Sequence, residues 1–205
     1  DIELERFLNF LDTQVGQNNY TLFLTADHAA VQVPSYLNSL KIPGGYFNND
    51  KFKEFVNAIT LENFNSTEIV ENISNYQFFL NKEIIKELKL DVHKVSQIIA
   101  DEILAFKNIN KTVTAHTLQT TSFTSGILQT LQNGYNQKLS GDILFVPNPS
   151  TISYSKTGTT HGSGYAYDTH VPLIFYGYNI KQGSSNKYYP IIDIAPTLST
   201  FLNIT

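Results

Sequence analysis

Two groups of side chains in this 205-residue chain have the types and spacing to hold metal ions. The first is Asp27-His28, at the exit of an apolar run from Tyr20 to Leu24 that reads as a buried strand. An adjacent carboxylate and imidazole there can meet one divalent ion, because zinc accepts both at about 2.0–2.2 Å. The second lies far downstream, where His161 precedes Gly162, and Asp168 and His170 flank Thr169. Glycine beside a histidine lets backbone or a ligand approach closely. Asp168 and His170 suit a supporting role, since ligating histidines pass their second ring nitrogen to a carboxylate or carbonyl. His93 falls on the polar side of a helix, which places it in solvent, and His116 follows a strand-like run, where a structural role is expected. Together the ligand-type residues point to a metal-dependent hydrolase.

The elements that position them alternate between helix and strand, which implies an α/β fold with a central mixed sheet flanked by helices. The chain opens on a helical face, Ile2, Leu4, Phe7, Leu8 and Leu11, already in phase and with no leader. The expectation is a single domain over residues 1–205, cut from a longer protein. Lys51 to Ile59 has helical spacing at Phe52, Phe55, Val56 and Ile59. Glu68 to Leu80 reads as one or two strands. Asn81 caps a short helix over 82–88, and Asp91 caps a longer one carrying Val92, Val95, Ile98, Ile99, Ile103, Leu104 and Phe106. Thr112 to Ala115 and Asp142 to Val146 are strands, Ser125 to Gln132 a helix. Residues 150–170 form a loop, 171–176 a strand and 191–202 a final helix.

Composition narrows the function. Net charge is −4 with no basic block, which excludes a nucleic acid polymer as the expected partner. No apolar stretch reaches the roughly 20 residues that span a bilayer. Cysteine is absent, so a metal site must use His, Asp or Glu. The N-x-S/T matches at Asn19, Asn65, Asn72, Asn110 and Asn203 are read as chance in an asparagine-rich chain.

The motifs resemble a known family. Residues 25–28, the His161-Gly162 loop running into residues 167–172, and Ile192-Asp193-Ile194-Ala195-Pro196-Thr197-Leu198 look like the C-terminal part of the alkaline phosphatase superfamily. The resemblance is to its type I phosphodiesterase/nucleotide pyrophosphatase branch, and within that to the phosphate-irrepressible, PafA-type alkaline phosphatases. It implies two zinc ions in the complete enzyme, phosphate ester substrates and a periplasmic or secreted location. By the same resemblance Asp27 and His28 bind one ion and His161 the other, while His170 occupies a position that is not a ligand. The family's Thr or Ser nucleophile and its Asp-x-x-x-His motif lie upstream and have no counterpart here. No catalytic nucleophile is therefore assigned, and the missing N-terminal part of the same protein becomes the expected partner. Ala29 stands where the family carries Gly. The alternatives are a non-catalytic binding module that kept the fold, and a sulfatase or phosphonate hydrolase of the same superfamily. In every case residues 27, 28 and 161 must converge.

Overall fold

The computed structural model describes residues 1–154 and 157–204. In chain order the elements are α1 (Ile2–Leu11), β1 (Thr21–Leu24), α2 (Pro34–Ser39), β2 (Gly45–Tyr46), α3 (Asn49–Phe64), β3 (Val70–Ser74) and β4 (Gln77–Leu80). Then come α4 (Lys82–Glu87), α5 (Val92–Glu102), β5 (Ile109–Thr114), α6 (Ala115–Thr120), α7 (Gly126–Gly134) and β6 (Ile143–Pro147). The chain ends with β7 (Thr151–Ile152), α8 (Ala166–Thr169), β8 (Ile174–Gly177) and α9 (Ile194–Leu202). The class is α/β, as expected, with both parallel and antiparallel pairing. Among the described residues no helix is long and apolar enough to cross a membrane.

Two compact units emerge. The first combines residues 1–25 with 173–205 and holds the antiparallel pair β1–β8, in register from Thr21 opposite Gly177 to Leu24 opposite Ile174. Strand β1 is not continuously buried, contrary to its apolar sequence. Its residues alternate between exposed and half-buried, and Phe23 stays 39% exposed. Among the described residues it pairs with β8 alone, and its exposure alternates with period 2 instead of showing burial throughout.

The second unit, residues 26–172, contains the main core and all the ligand-type residues singled out above. Its sheet has the order β3-β4-β6-β5, antiparallel throughout. Strand β6 lies between two neighbours and all five of its residues are buried, which accounts for its unbroken apolar run. A separate parallel pair joins β2 to β7.

Helix α3 packs Phe52, Val56 and Ile59 into the core, and α5 packs Val95 and Ile99. Caps fix both starts: Asn48 Oδ1 accepts from Lys51 N at 2.9 Å, and Asp91 Oδ1 from Lys94 N at 2.9 Å. That backbone donor holds the Asp91 carboxyl below its ordinary range. Leu104, expected on the buried stripe, is 44% exposed. After α5 the backbone tightens into a 3-10 turn over Ile103–Ala105, and the change of period keeps Ile103 inside while Leu104 rotates out.

The β3–β4 hairpin turns on Asn75 and Tyr76, with φ of 50° and 60°. Two left-handed residues are what a two-residue turn between twisted strands requires, and Asn-Gly is the usual solution. Tyrosine at the second position costs on the order of 1–3 kcal/mol. Its ring is held by the core, edge-on to Phe145 with centroids 5.4 Å apart.

Candidate functional site

The stretch following Ala26 and the loop between β7 and α8 are tied together by main-chain contacts. Ala29 N donates to the Asp168 carbonyl at 2.9 Å, and the Thr159 hydroxyl donates to the Val31 carbonyl. Two segments more than a hundred residues apart in sequence are thereby zipped side by side. The consequence is visible in the side chains: the rings of His28 and His161 stack, with centroids 3.3 Å apart and planes 14° from parallel.

Asp27 and His28 meet as a pair. Asp27 Oδ2 lies 3.6 Å from His28 Nε2, and Asp27 Oδ1 accepts from the His28 amide at 2.9 Å. On the far side of the ring, Nδ1 is 2.8 Å from the Ala29 carbonyl. A carbonyl only accepts, so Nδ1 carries a proton, and Nε2 is the ring nitrogen turned toward Asp27. Both groups reach solvent, the Asp27 side chain being 87% and the His28 side chain 39% exposed.

This arrangement fits a metal-ligand pair. The 3.6 Å separation is close to the roughly 3.4 Å edge of a tetrahedron with bonds of about 2.1 Å. A backbone carbonyl on the opposite ring nitrogen is the usual device that fixes the tautomer of a ligating histidine. Among the described residues no group of three or more His, Cys, Asp or Glu side chains is arranged to hold one ion. Asp27 and His28 bring one carboxylate oxygen and one ring nitrogen to the same side, and His161 stands next to them.

Ala29 keeps both of its roles through main-chain atoms, and its φ is not positive.

Asp168 is buried at 5% exposure and organises the His161 loop. Its Oδ2 accepts from Ser163 N at 2.9 Å and from Ser163 Oγ at 2.6 Å, while Oδ1 is buried without a partner among the described residues. Gly162, between His161 and Ser163, has φ +131°, and a Cβ there would lie 3.5 Å from Tyr76 Cε2. His170 is exposed at the C-terminal end of α8, and its amide donates to the Ala166 carbonyl. His93 and His116 are exposed, and their rings lie 4.4 Å apart.

Sequence reasoning passed over Tyr76, Thr159 and Ser163. Ser163 carried a faint signal, a short hydroxyl residue in a glycine-rich loop five places before an Asp. For Tyr76 there was none, because its position depends on the hairpin register. Burial pushes the Tyr76 phenol above its ordinary pKa, and the nearby Asp168 carboxylate pushes it further.

A cavity of about 390 Å³ opens beside His161, walled by Tyr76, Phe47 and Phe145 and edged by Asn49, Lys53 and Asn75.

No protein-family model matches the chain. Individual proteins do. It is 37% identical over 205 residues to "Alkaline phosphatase PafA" of Elizabethkingia meningoseptica, and 34% identical over 206 residues to "Alkaline phosphatase PhoV" of Synechococcus elongatus. It is also 34% identical over 209 residues to a Myroides odoratus protein named "Calcium-transporting ATPase". The crystal structure of wild-type PafA superposes with a TM-score of 0.92 at 35% identity, over 100% of this chain and 39% of that one. A multiply substituted PafA gives 0.91. The chain is homologous over its full length to part of these alkaline phosphatases. It spans 36% to 38% of the length of the curated relatives it matches. Its sheets and helices are a segment of the PafA fold, and its homologues are hydrolases of phosphoric esters.

Proposed function

We infer that the chain supplies part of the zinc-binding half of a PafA-type phosphatase, with Asp27 and His28 binding one ion and His161 the other. One observation carries the reading: the Ala29 carbonyl holds His28 Nδ1 while Nε2 lies beside Asp27 Oδ2, and His161 stacks on the same ring. When bound, the two ions supply electrostatic stabilisation of the phosphoryl group and of the attacking and leaving oxygens.

The chain's own residues set the stage for that chemistry. Asp27 and His28 present one oxygen and one nitrogen on the same side, and the Ala29 carbonyl holds the other ring nitrogen, Nδ1. Asp168 holds the loop that carries His161 and, through its main-chain carbonyl, the segment that carries His28. Its role is that of a support, and His170 stays outside the ligand set. The nucleophile and the remaining ligands come from sequence beyond these residues, in keeping with the greater length of the relatives. A periplasmic or secreted setting goes with this reading, as does phosphate ester as substrate. Two of the three relatives are named alkaline phosphatases, which favours a phosphatase over a sulfatase.

The test is hydrolysis of p-nitrophenyl phosphate in zinc-supplemented buffer. The isolated chain is expected to turn over no faster than its Asp27→Ala variant. In a full-length protein containing this chain, the same substitution is expected to lower kcat/KM at least about 100-fold, the scale of losing one transition-state contact. A clear Asp27-dependent rate from the isolated chain would overturn the division of labour, and an unaffected full-length enzyme would overturn the site.

A further inference from the structure

We propose that the cavity beside His161 is a subsite for the organic substituent of the substrate, and that it takes a flat aromatic group bearing an anionic or acceptor substituent. The functional setting rests on the reading of His161 given above; the binding chemistry does not.

Three observations converge on this cavity. Its size, about 390 Å³, is within the range of small-molecule sites, and His161 and Gly162 form one wall, so it is continuous with the candidate metal centre. Its aromatic wall includes Tyr76, a bulky residue held at φ 60° where glycine is the unstrained choice. Strain of that kind persists where the surroundings over-determine it, and it clusters at ligand sites. Phe145 holds the Tyr76 ring edge-on from the core side. The rim is polar and positive. Lys53 pairs with no carboxylate among the described residues. Asn49 is anchored by its Nδ2 donating to Ser153 Oγ at 2.7 Å, at the start of α3.

An aromatic wall, two amides and an ammonium recognise a π-face with an electron-rich edge. A bare phosphate would leave the aromatic wall unused.

Amide chemical shifts of the metal-free chain provide the test, with 1-naphthol-4-sulfonate, 1-naphthol and inorganic phosphate as probes. Both naphthols are expected to shift residues 49, 75, 76 and 162 saturably, and phosphate is not. Tyr76→Gly places the preferred residue in the turn, so the fold survives, and it should weaken both naphthols roughly 3- to 10-fold, the scale of one aromatic contact. Lys53→Ala should weaken the sulfonate alone. The proposal is overturned if neither naphthol binds, if phosphate moves the same residues equally, or if Tyr76→Gly leaves both affinities unchanged. An unchanged sulfonate affinity in Lys53→Ala would overturn the anionic part of the assignment. Because the assay contains no metal, its failure is distinguishable from failure of the zinc reading, which the Asp27→Ala rates decide.

Discussion

The imidazoles of His28 and His161 lie face to face, with ring centroids 3.3 Å apart, although 133 positions separate them in sequence (161 − 28). Neither side chain accounts for this alone. The Ala29–Asp168 and Thr159–Val31 contacts bring their main chains together, and the rings follow. The juxtaposition is therefore a property of two segments held in register, and it depends on main-chain atoms outside the two imidazoles.

Zinc titration of the isolated chain should show weak binding at most, since the described residues complete no site of three or more ligands. Whatever binding calorimetry detects should fall more than about 10-fold in His28→Ala, because losing a ligand exceeds the effect of losing a ligand's hydrogen-bond partner. His170→Ala should leave it unchanged. Two tight zinc sites in the isolated chain would contradict this picture.

Asp168 should matter more to stability than its surroundings. Replacing it with Ala strips the acceptor from both Ser163 N and Ser163 Oγ in a half-buried loop. A cost of about 1–3 kcal/mol is expected, as for donors left unsatisfied. Ser163→Ala removes only the hydroxyl contact and should cost about 0.5–1.5 kcal/mol. Urea unfolding of the two variants, compared at equal m-value, checks the order.

What could be read from the sequence follows from how local each feature is. The caps at Asn81 and Asp91 sit where their side chains meet the helix's own amides, three residues on, so the chain announces them. Asp27-His28 is legible for the same reason, since both members of the pair are adjacent. The buried run of β6 was read correctly because its burial on both faces is written into every residue. The same reading failed for β1, whose apolar residues look alike but alternate between exposed and half-buried. Tyr76 was invisible because it enters the site through hairpin geometry, and a turn tyrosine carries no sign of the wall it will form.

Alkaline unfolding should report on Tyr76. Burial first, then the Asp168 carboxylate and Tyr167, raise its pKa above the ordinary value near 10. Above that value the unfolded chain loses the phenolic proton while the folded chain still holds it. Stability should then fall as pH rises from about 10 through the raised folded value, because the unfolded state binds fewer protons there. Tyr76→Phe cannot ionise, so its stability should decline less over the same range. Equal slopes for the two proteins, in denaturant midpoints taken between pH 9 and 11, would show that Tyr76 does not contribute.

The end of α5 offers a comparison between neighbours that helical periodicity alone treats alike. Ile99 and Ile103 are fully buried in the core cluster, whereas the 3-10 turn leaves Leu104 44% exposed. Ile99→Ala removes packed methyl groups from a site with no solvent access, and should cost about 2–5 kcal/mol. Leu104→Ala deletes a side chain that water already reaches, and should stay within about 0.5 kcal/mol, as exposed substitutions do. Continuing α-helical geometry through Leu104 would keep that residue on the buried stripe and make the two costs similar. Thermal or urea midpoints for the pair therefore decide whether the change of helical period, rather than the apolar pattern, sets which leucine or isoleucine holds the core.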